Sequence, residues 1–281
     1  MHAADLPDGS RTRRPMASTH LFHFRSPRAA ARSLFVDRHG LASTTGLLFH
    51  RLVFVGSLRT EGFTFGLVDP RRQMAMCLWD DETSLERFLH DTPTGRAWRE
   101  QTDEYCEVRM TPFRSHGTYR GLEPLAGLAP EPPGDGPAAL WTFANIPPRG
   151  LGFFWSEIRG AAARLLTAPG LIAGTAGPEH LYRGAMTFTI WERLDSALGF
   201  AYRQEPHRRI VKDVRADRRL IDSMFIRLRP YAATGSWPAR SRFASRFERF
   251  ARALEATPPE GRAPGPRGPT RSPAAGRSPT R

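Results

Sequence analysis

The sequence predicts an α+β fold in which one βαββαβ unit is written twice. Two matched blocks and a Pro/Gly-rich stretch between them carry that prediction. In the first block, CLW ending at Trp79 matches TIW ending at Trp191; Ser84 then falls on Ser196 and Phe88 on Phe200, at an offset of 191 − 79 = 112. In the second, Arg109, Pro112, Phe113, Gly117 and Tyr119 fall opposite Arg227, Pro230, Tyr231, Gly235 and Trp237, at an offset of 227 − 109 = 118. Self-similarity at a near-constant offset is the mark of an internal duplication.

The elements follow in order. Residues 1–17 are polar and charged with few large apolar groups, which predicts disorder. Residues 18–120 form the first repeat: a strand in THLFHF, a helix after Pro27, a strand in GLLFHRLVFVGS and another in MAMCLW. A helix from Thr83 to Thr102 and a strand in YCEVRMTPF complete it. Residues 121–137, rich in Pro and Gly, read as a linker. The second repeat, 138–237, starts with the strand Ala139–Ala144 and a helix over Arg149–Leu166, where Phe153, Phe154, Ile158 and Leu165 lie near helical spacing. Pro169-Gly170 turns the chain into a strand over Leu171–Ala176, followed by a strand over Ala185–Trp191. A helix over Asp195–Arg219, broken near Pro206, and a strand over Ile221–Arg229 end the repeat. Residues 238–256 read as a C-terminal helix, and 257–281 as a disordered basic tail too poor in apolar groups to offset the entropy of ordering.

A four-stranded antiparallel sheet with two helices on one face is a ferredoxin-like unit, and its other face is apolar and uncovered. Two copies remove that exposure by packing sheet to sheet as a pseudo-dimeric α/β barrel, helices outside. The interior of such a barrel is the natural place for an apolar ligand.

The bulk numbers remove several classes of function. The formal charge is +13, from 41 basic and 28 acidic residues, but Lys212 is the single lysine. That skew follows from GC-rich codons, and the 257–281 tail holds five arginines against one acid, 5 − 1 = +4, so no nucleic-acid partner is predicted. Cys77 and Cys106 sit in apolar strand-like runs and read as buried free thiols. There is no apolar run of about 20 residues to cross a bilayer and no apolar centre in the N-terminal stretch to make a secretory signal. The expectation is a cytoplasmic protein, with peripheral membrane contact left open. No dinucleotide or phosphate loop, nucleophile elbow or paired-cysteine site appears, which sets aside hydride and phosphoryl transfer.

In the second half the residues become specific. TFTIWERLDSALGFAYRQEPHRRIVKDVRADRRLIDSMFIRLRPYAATGSW, over Thr187–Trp237, resembles the C-terminal half of the spheroidene monooxygenases, a family of carotenoid oxygenases. ALWTFANIPPRGLGFFW and APGLIAGTAG agree in order and spacing; the sharpest pieces are F-A-Y-R-x-x-P-H (Phe200–His207) and F-x-R-L-x-P-Y-x-x-x-G-S-W (Phe225–Trp237). The resemblance covers 138–237 well, the first half weakly and neither tail. It implies a dimeric α/β-barrel fold and an oxygenase that uses O2 to place oxygen on an acyclic carotenoid. It also implies a haem cofactor and a ferredoxin-type electron donor. The arginine-rich tail, the longer basic N-terminus and the drifted first half depart from the family and put the exact substrate in doubt.

Side chains alone do not insert oxygen into an unactivated C–H bond, so a cofactor is expected, and a haem needs an axial ligand and an apolar pocket. His207 is the first candidate ligand: it follows Pro206 at the helix break, inside the most family-like motif, and its first-half counterpart is not histidine. The plain alternative is a polar residue opening a helix. Tyr202, Arg203 and Arg208 stand beside it, the arginines suited to propionates or simply to a solvated face. Trp141, Phe143, Phe154 and Phe188 are candidate pocket residues, with ordinary core as the alternative. His23, His50, His90 and His116 are weaker ligand candidates; His20 and His23, three apart on a strand, point to opposite faces. Two other functions stay open: a monooxygenase of the same fold that needs no cofactor, and a barrel that binds an apolar ligand without catalysis.

Overall fold

The computed structural model describes residues 14–56, 68–132, 134–179, 184–203 and 220–257. The side chains of Val68, 153–159, 202 and 203 lie outside the description. The first half runs β1 (Met16–Phe24), α1 (Pro27–Arg32), a π-helical turn (Ser33–Asp37), α2 (Arg38–Ala42), β2 (Leu47–Gly56), β3 (Val68–Trp79), α3 (Glu82–Asp91), α4 (Pro93–Glu100) and β4 (Thr102–Gly117). The second runs β5 (Ala138–Asn145), α5 (Leu151–Leu166), β6 (Leu171–Glu179), β7 (Gly184–Trp191), α6 (Leu194–Arg203) and β8 (Asp222–Gly235), before a C-terminal helix α7 (Ala244–Ala256).

Local chemistry explains the boundaries. Ser26 caps α1 by accepting from the Ala29 amide at 3.1 Å, with Pro27 in the first turn, where its missing N–H costs nothing. The helix expected over Thr83–Thr102 is two helices. Thr92 ends α3 and caps α4, its hydroxyl accepting from Gly95 N at 3.0 Å, and Pro93 opens the new helix. Trp79 closes β3, and Asp81 caps α3 through Ser84 N at 2.8 Å.

The eight strands form one antiparallel sheet in the order β2-β3-β1-β4-β8-β5-β7-β6. This differs from the expected pair of sheets packed face to face. The halves instead join edge to edge along β4 and β8, paired from Cys106↔Gly235 to Gly117↔Met224. That pairing is why both strands run past their predicted ends. The sheet then curls until its outer strands meet: a side chain on Gly177 of β6 would lie 1.5 Å from the Phe54 carbonyl oxygen of β2. Among the described residues no backbone hydrogen bond joins β2 to β6.

Period-two alternation sorts the side chains into two layers. Leu21, Val53, Met76, Val108, Trp141 and Phe188 belong to the inner set, whose ring and polar contacts cross the curl. The Phe49 and Phe143 rings are 5.6 Å apart, and Trp141 Nε1 donates to Thr19 Oγ1 at 2.9 Å. Met74, Met76, Met110, Met186 and Met224 are fully buried in this set. On the outer face of the first half, Phe22, Trp79, Leu85, Phe88 and Trp98 pack under α3 and α4. Residues 118–132 and 134–137 carry no long strand or helix, yet Leu125 is buried in the inner set.

Candidate functional site

Buried polar groups collect in two places. The first lies where β2 meets β6. Arg51, between Phe49 and Val53 on the inner register of β2, places its Nε 3.4 Å from Glu179 Oε1, an ion pair in which Nε donates no hydrogen bond among the described residues. Glu179, the last residue of β6, is 3% exposed. Its Oε2 accepts from the Tyr119 hydroxyl at 2.7 Å and lies 3.3 Å from Arg120 Nη2, while Arg38 of α2 approaches Oε1 at 3.9 Å. The Arg51 guanidinium stacks over the Phe49 ring at 4.3 Å and faces the Tyr119 ring at 5.2 Å. Arg120 has a φ of 53°, the left-handed region that non-glycine residues rarely enter. Gly184 has no room for a side chain, since a Cβ there would lie 2.3 Å from the Tyr119 hydroxyl oxygen.

Electrostatics follow from this packing. Burial pushes the Tyr119 phenol up, and the Glu179 charge adds to the shift, so the phenol stays protonated and donates. Burial lowers the Arg51 pKa, while Glu179 opposes the shift. His50, next on β2, is lowered to about 4 by burial and by the charges of Arg51 and Arg38, so its ring is neutral at neutral pH. Among the described residues the His50 ring makes no hydrogen bond.

The second cluster lies on the helix side of the first half. Trp79 Nε1 donates to Ser18 Oγ at 2.9 Å, and Ser18 Oγ stands 2.8 Å from His20 Nε2. His20 Nδ1 is 2.9 Å from the Tyr105 hydroxyl, which donates to Glu107 Oε2 at 2.9 Å. Arg109 closes the chain on Glu107 Oε1 at 2.5 Å and reaches Glu82 and Glu86 of α3. Because Tyr105 donates onward, it accepts from Nδ1–H of a neutral His20. Burial first lowers the His20 pKa, to about 4, against the opposing pull of Glu107. Both imidazole nitrogens are committed, so this network is a structural tie between the sheet and α3.

The residues singled out in the sequence fall unevenly. Trp141, Phe143 and Phe188 are fully buried on the inner face; two recesses lie elsewhere among the described residues. One of these is a recess of about 20 Å³ among Leu21, Val55, Tyr105 and Trp237; the other is a surface cleft of about 440 Å³ between α2 and α3–α4. Phe154 lies on α5 and Tyr202 and Arg203 end α6, with their side chains outside the description; His207 and Arg208 lie outside the described residues. His23 is held by Asp103 at 2.6 Å, and exposed His90 faces Glu86 at 3.3 Å. Cys77 and Cys106 are buried free thiols whose pKa values burial pushes up. No group of three or more metal-binding side chains forms among the described residues. The Arg51–Glu179–Tyr119 cluster was missed in the sequence; Tyr119 entered there only as the last residue of a matched block.

Comparison with known proteins gives the context. No family model matches the chain. It is 25% identical over 236 residues to the spheroidene monooxygenase of Rhodobacter capsulatus, covering 83% of this chain and 97% of that protein. The chain is a homologue of the spheroidene monooxygenases. That of Rubrivivax gelatinosus is 27% identical over 169 residues, which cover 60% of this chain and 64% of the relative. The homology makes the chain an oxidoreductase of the monooxygenase class. Among solved structures, an aldoxime dehydratase bound to butyraldoxime superposes with a TM-score of 0.50 at 12% identity, covering 79% of this chain and 81% of that one, a likeness of fold alone.

Proposed function

We propose that this homologue of the spheroidene monooxygenases inserts one oxygen atom of O2 into an acyclic carotenoid or a similarly long apolar molecule. The observation that carries the reading is the similarity to the R. capsulatus enzyme along almost that protein's whole length. In such a reaction a C–H bond becomes C–OH and the second oxygen leaves as water, with two electrons and two protons from a donor. A ferredoxin-type protein is the donor class we propose.

The inner face supports an apolar substrate. It combines aromatic rings with five buried methionines, whose unbranched, polarizable side chains repack around an inserted chain more easily than branched ones. Arg51, Tyr119 and Glu179 would bound that space with mutually compensated charges and admit little water.

A duplicated origin for the barrel is supported by its geometry. At the offset of 118, Thr111 pairs with its own counterpart Arg229, so the β4–β8 ladder is centred on the duplication. Gly117 packs a positive-φ turn on the Ser223 carbonyl, as Gly235 does on that of Tyr105. Gly46 lies against Ser84 as Gly170 lies against Ser196.

Haem is the proposed cofactor, and it would supply the activation of O2. Of the described histidines, His20 has both ring nitrogens within hydrogen-bond distance of protein oxygens. We assign ligation to His207 from its place in the F-A-Y-R-x-x-P-H motif, with Tyr202, Arg203 and Arg208 around it.

The test is expression of the chain in a host that makes acyclic carotenoids, under heavy-isotope oxygen gas, with mass spectrometry of the pigments. Label incorporated into the carotenoid supports the reading; unlabelled, unchanged pigment beside soluble folded protein overturns it. A Soret band of the purified protein that is lost in His207→Ala supports the haem assignment, whereas turnover by colourless protein replaces it with cofactor-independent oxygenation.

A further inference from the structure

We infer that the exposed face of the helical segment 27–42 docks on the surface of an anionic lipid bilayer. α1, the π-helical turn and α2 follow one another without a break. Along them Arg28, Ala31, Arg32, Phe35, Val36 and His39 are exposed, an i, i+3, i+4 stripe on one side. The stripe is apolar in its middle, with Phe35 73% and Val36 59% exposed, and carries Arg28 and Arg32 at its N-terminal end.

The polarity of this segment is inverted. Its buried side carries Ser33, fully buried, and Asp37, 6% exposed, between Ala30 and Leu41. Among the described residues Ser33 Oγ has no hydrogen-bond partner, and Asp37 is held by Arg32 at 3.5 Å. A helix shaped only by its own barrel would turn Phe35 and Val36 inward and Ser33 and Asp37 outward. The π-helical turn over Ser33–Asp37 sets the rotation that does the reverse. α2 packs on β2, whose bulge residue Leu48 is also 52% exposed.

Charge selects a lipid surface as the occupant. Over 27–42 the charged side chains are Arg28, Arg32, Arg38 and Asp37; Asp37 is buried against Arg32 and Arg38 leans towards Glu179, so the exposed face carries the positive charge of Arg28 and Arg32. Exposed apolar side chains flanked by arginine are the pattern of a helix lying in an anionic headgroup layer. No helix of the described residues is long and apolar enough to cross a membrane, so the contact is peripheral. The proposed apolar substrate gives the contact a purpose, because such a molecule is dissolved in lipid rather than water. The docking is measured without substrate, so it can fail while the oxygenase reading stands, and the reverse.

The experiment is co-flotation of the full chain with phosphatidylcholine vesicles with and without phosphatidylglycerol. The wild-type chain is expected to float with the anionic vesicles. The double change Phe35→Ser with Val36→Ser removes two solvent-facing apolar groups and should lower partitioning about tenfold or more. Arg28→Gln should lower it about fivefold on anionic vesicles and leave neutral ones unaffected. The arginines of 257–281 would also attract anionic lipid, so the apolar double variant decides. Unchanged flotation of that variant, with an unchanged melting curve, overturns the inference. So does an absence of wild-type binding, or a change in oligomeric state in the variant, which would make the face a protein contact.

Discussion

The curled sheet is joined in two places, and the two joints are built differently. Along β4 and β8 the halves share a backbone ladder from Cys106 to Gly117, interrupted by two register shifts at Arg109/Met110 and Pro112/Arg114. Along β2 and β6, among the described residues, no backbone hydrogen bond crosses, and the strands are held by the Arg51–Glu179 ion pair and the close approach of Gly177 to Phe54. A ladder spreads its stability over many bonds, whereas the β2–β6 seam concentrates it in a few side chains. The seam is thus the joint expected to open at least cost.

Glu179→Ala should have the largest effect, because it leaves Arg51 buried without its carboxylate. The expected loss is about 3–5 kcal/mol, read as a lower urea midpoint. A Thr111→Ala change in the ladder, which removes no charge and no backbone bond, should cost far less, and equal losses would break the contrast.

Acid should act on the helix-side network next. The folded pKa of His20 is about 4 against an unfolded value of 6.5, so its contribution is complete above pH 6.5 and is lost as pH falls towards 4. The slope amounts to on the order of 3 kcal/mol for His20. His50 adds a smaller slope of the same sign, being partly exposed. Thermal melts in that window should flatten in His20→Asn; an unaltered profile would contradict the buried neutral imidazole.

Smaller changes sharpen the comparison. Gly177→Ala forces a methyl group against the Phe54 carbonyl and should cost about 1–3 kcal/mol. Tyr119→Phe loses one hydrogen bond to a carboxylate and should cost about 1.5–3 kcal/mol at most, with chemical denaturation as the measurement.

Much of this architecture was legible in the sequence. Period-two runs and the tryptophans at 79 and 191 located the inner strands, since alternation reports which face is buried. The ends of β4 and β8 were not legible, because they are set by pairing with each other rather than by local pattern. The single curled sheet escaped for the same reason. Arg51 could not be told from the many exposed arginines, and Glu179 follows a proline in a run that gives no sign of its neighbours. Only the fold brings them within 3.4 Å. The proposed ligand set around His207 was a reading of motif alone.

Hydrogen exchange of the backbone amides tests the account most directly. β2 and β6 should exchange faster than β4 and β8, and Glu179→Gln should accelerate β2 and β6 while leaving the β4–β8 ladder as slow as before. Equal protection of all four strands, or acceleration spread evenly over them in the variant, would contradict a barrel closed on one side by backbone and on the other by side chains.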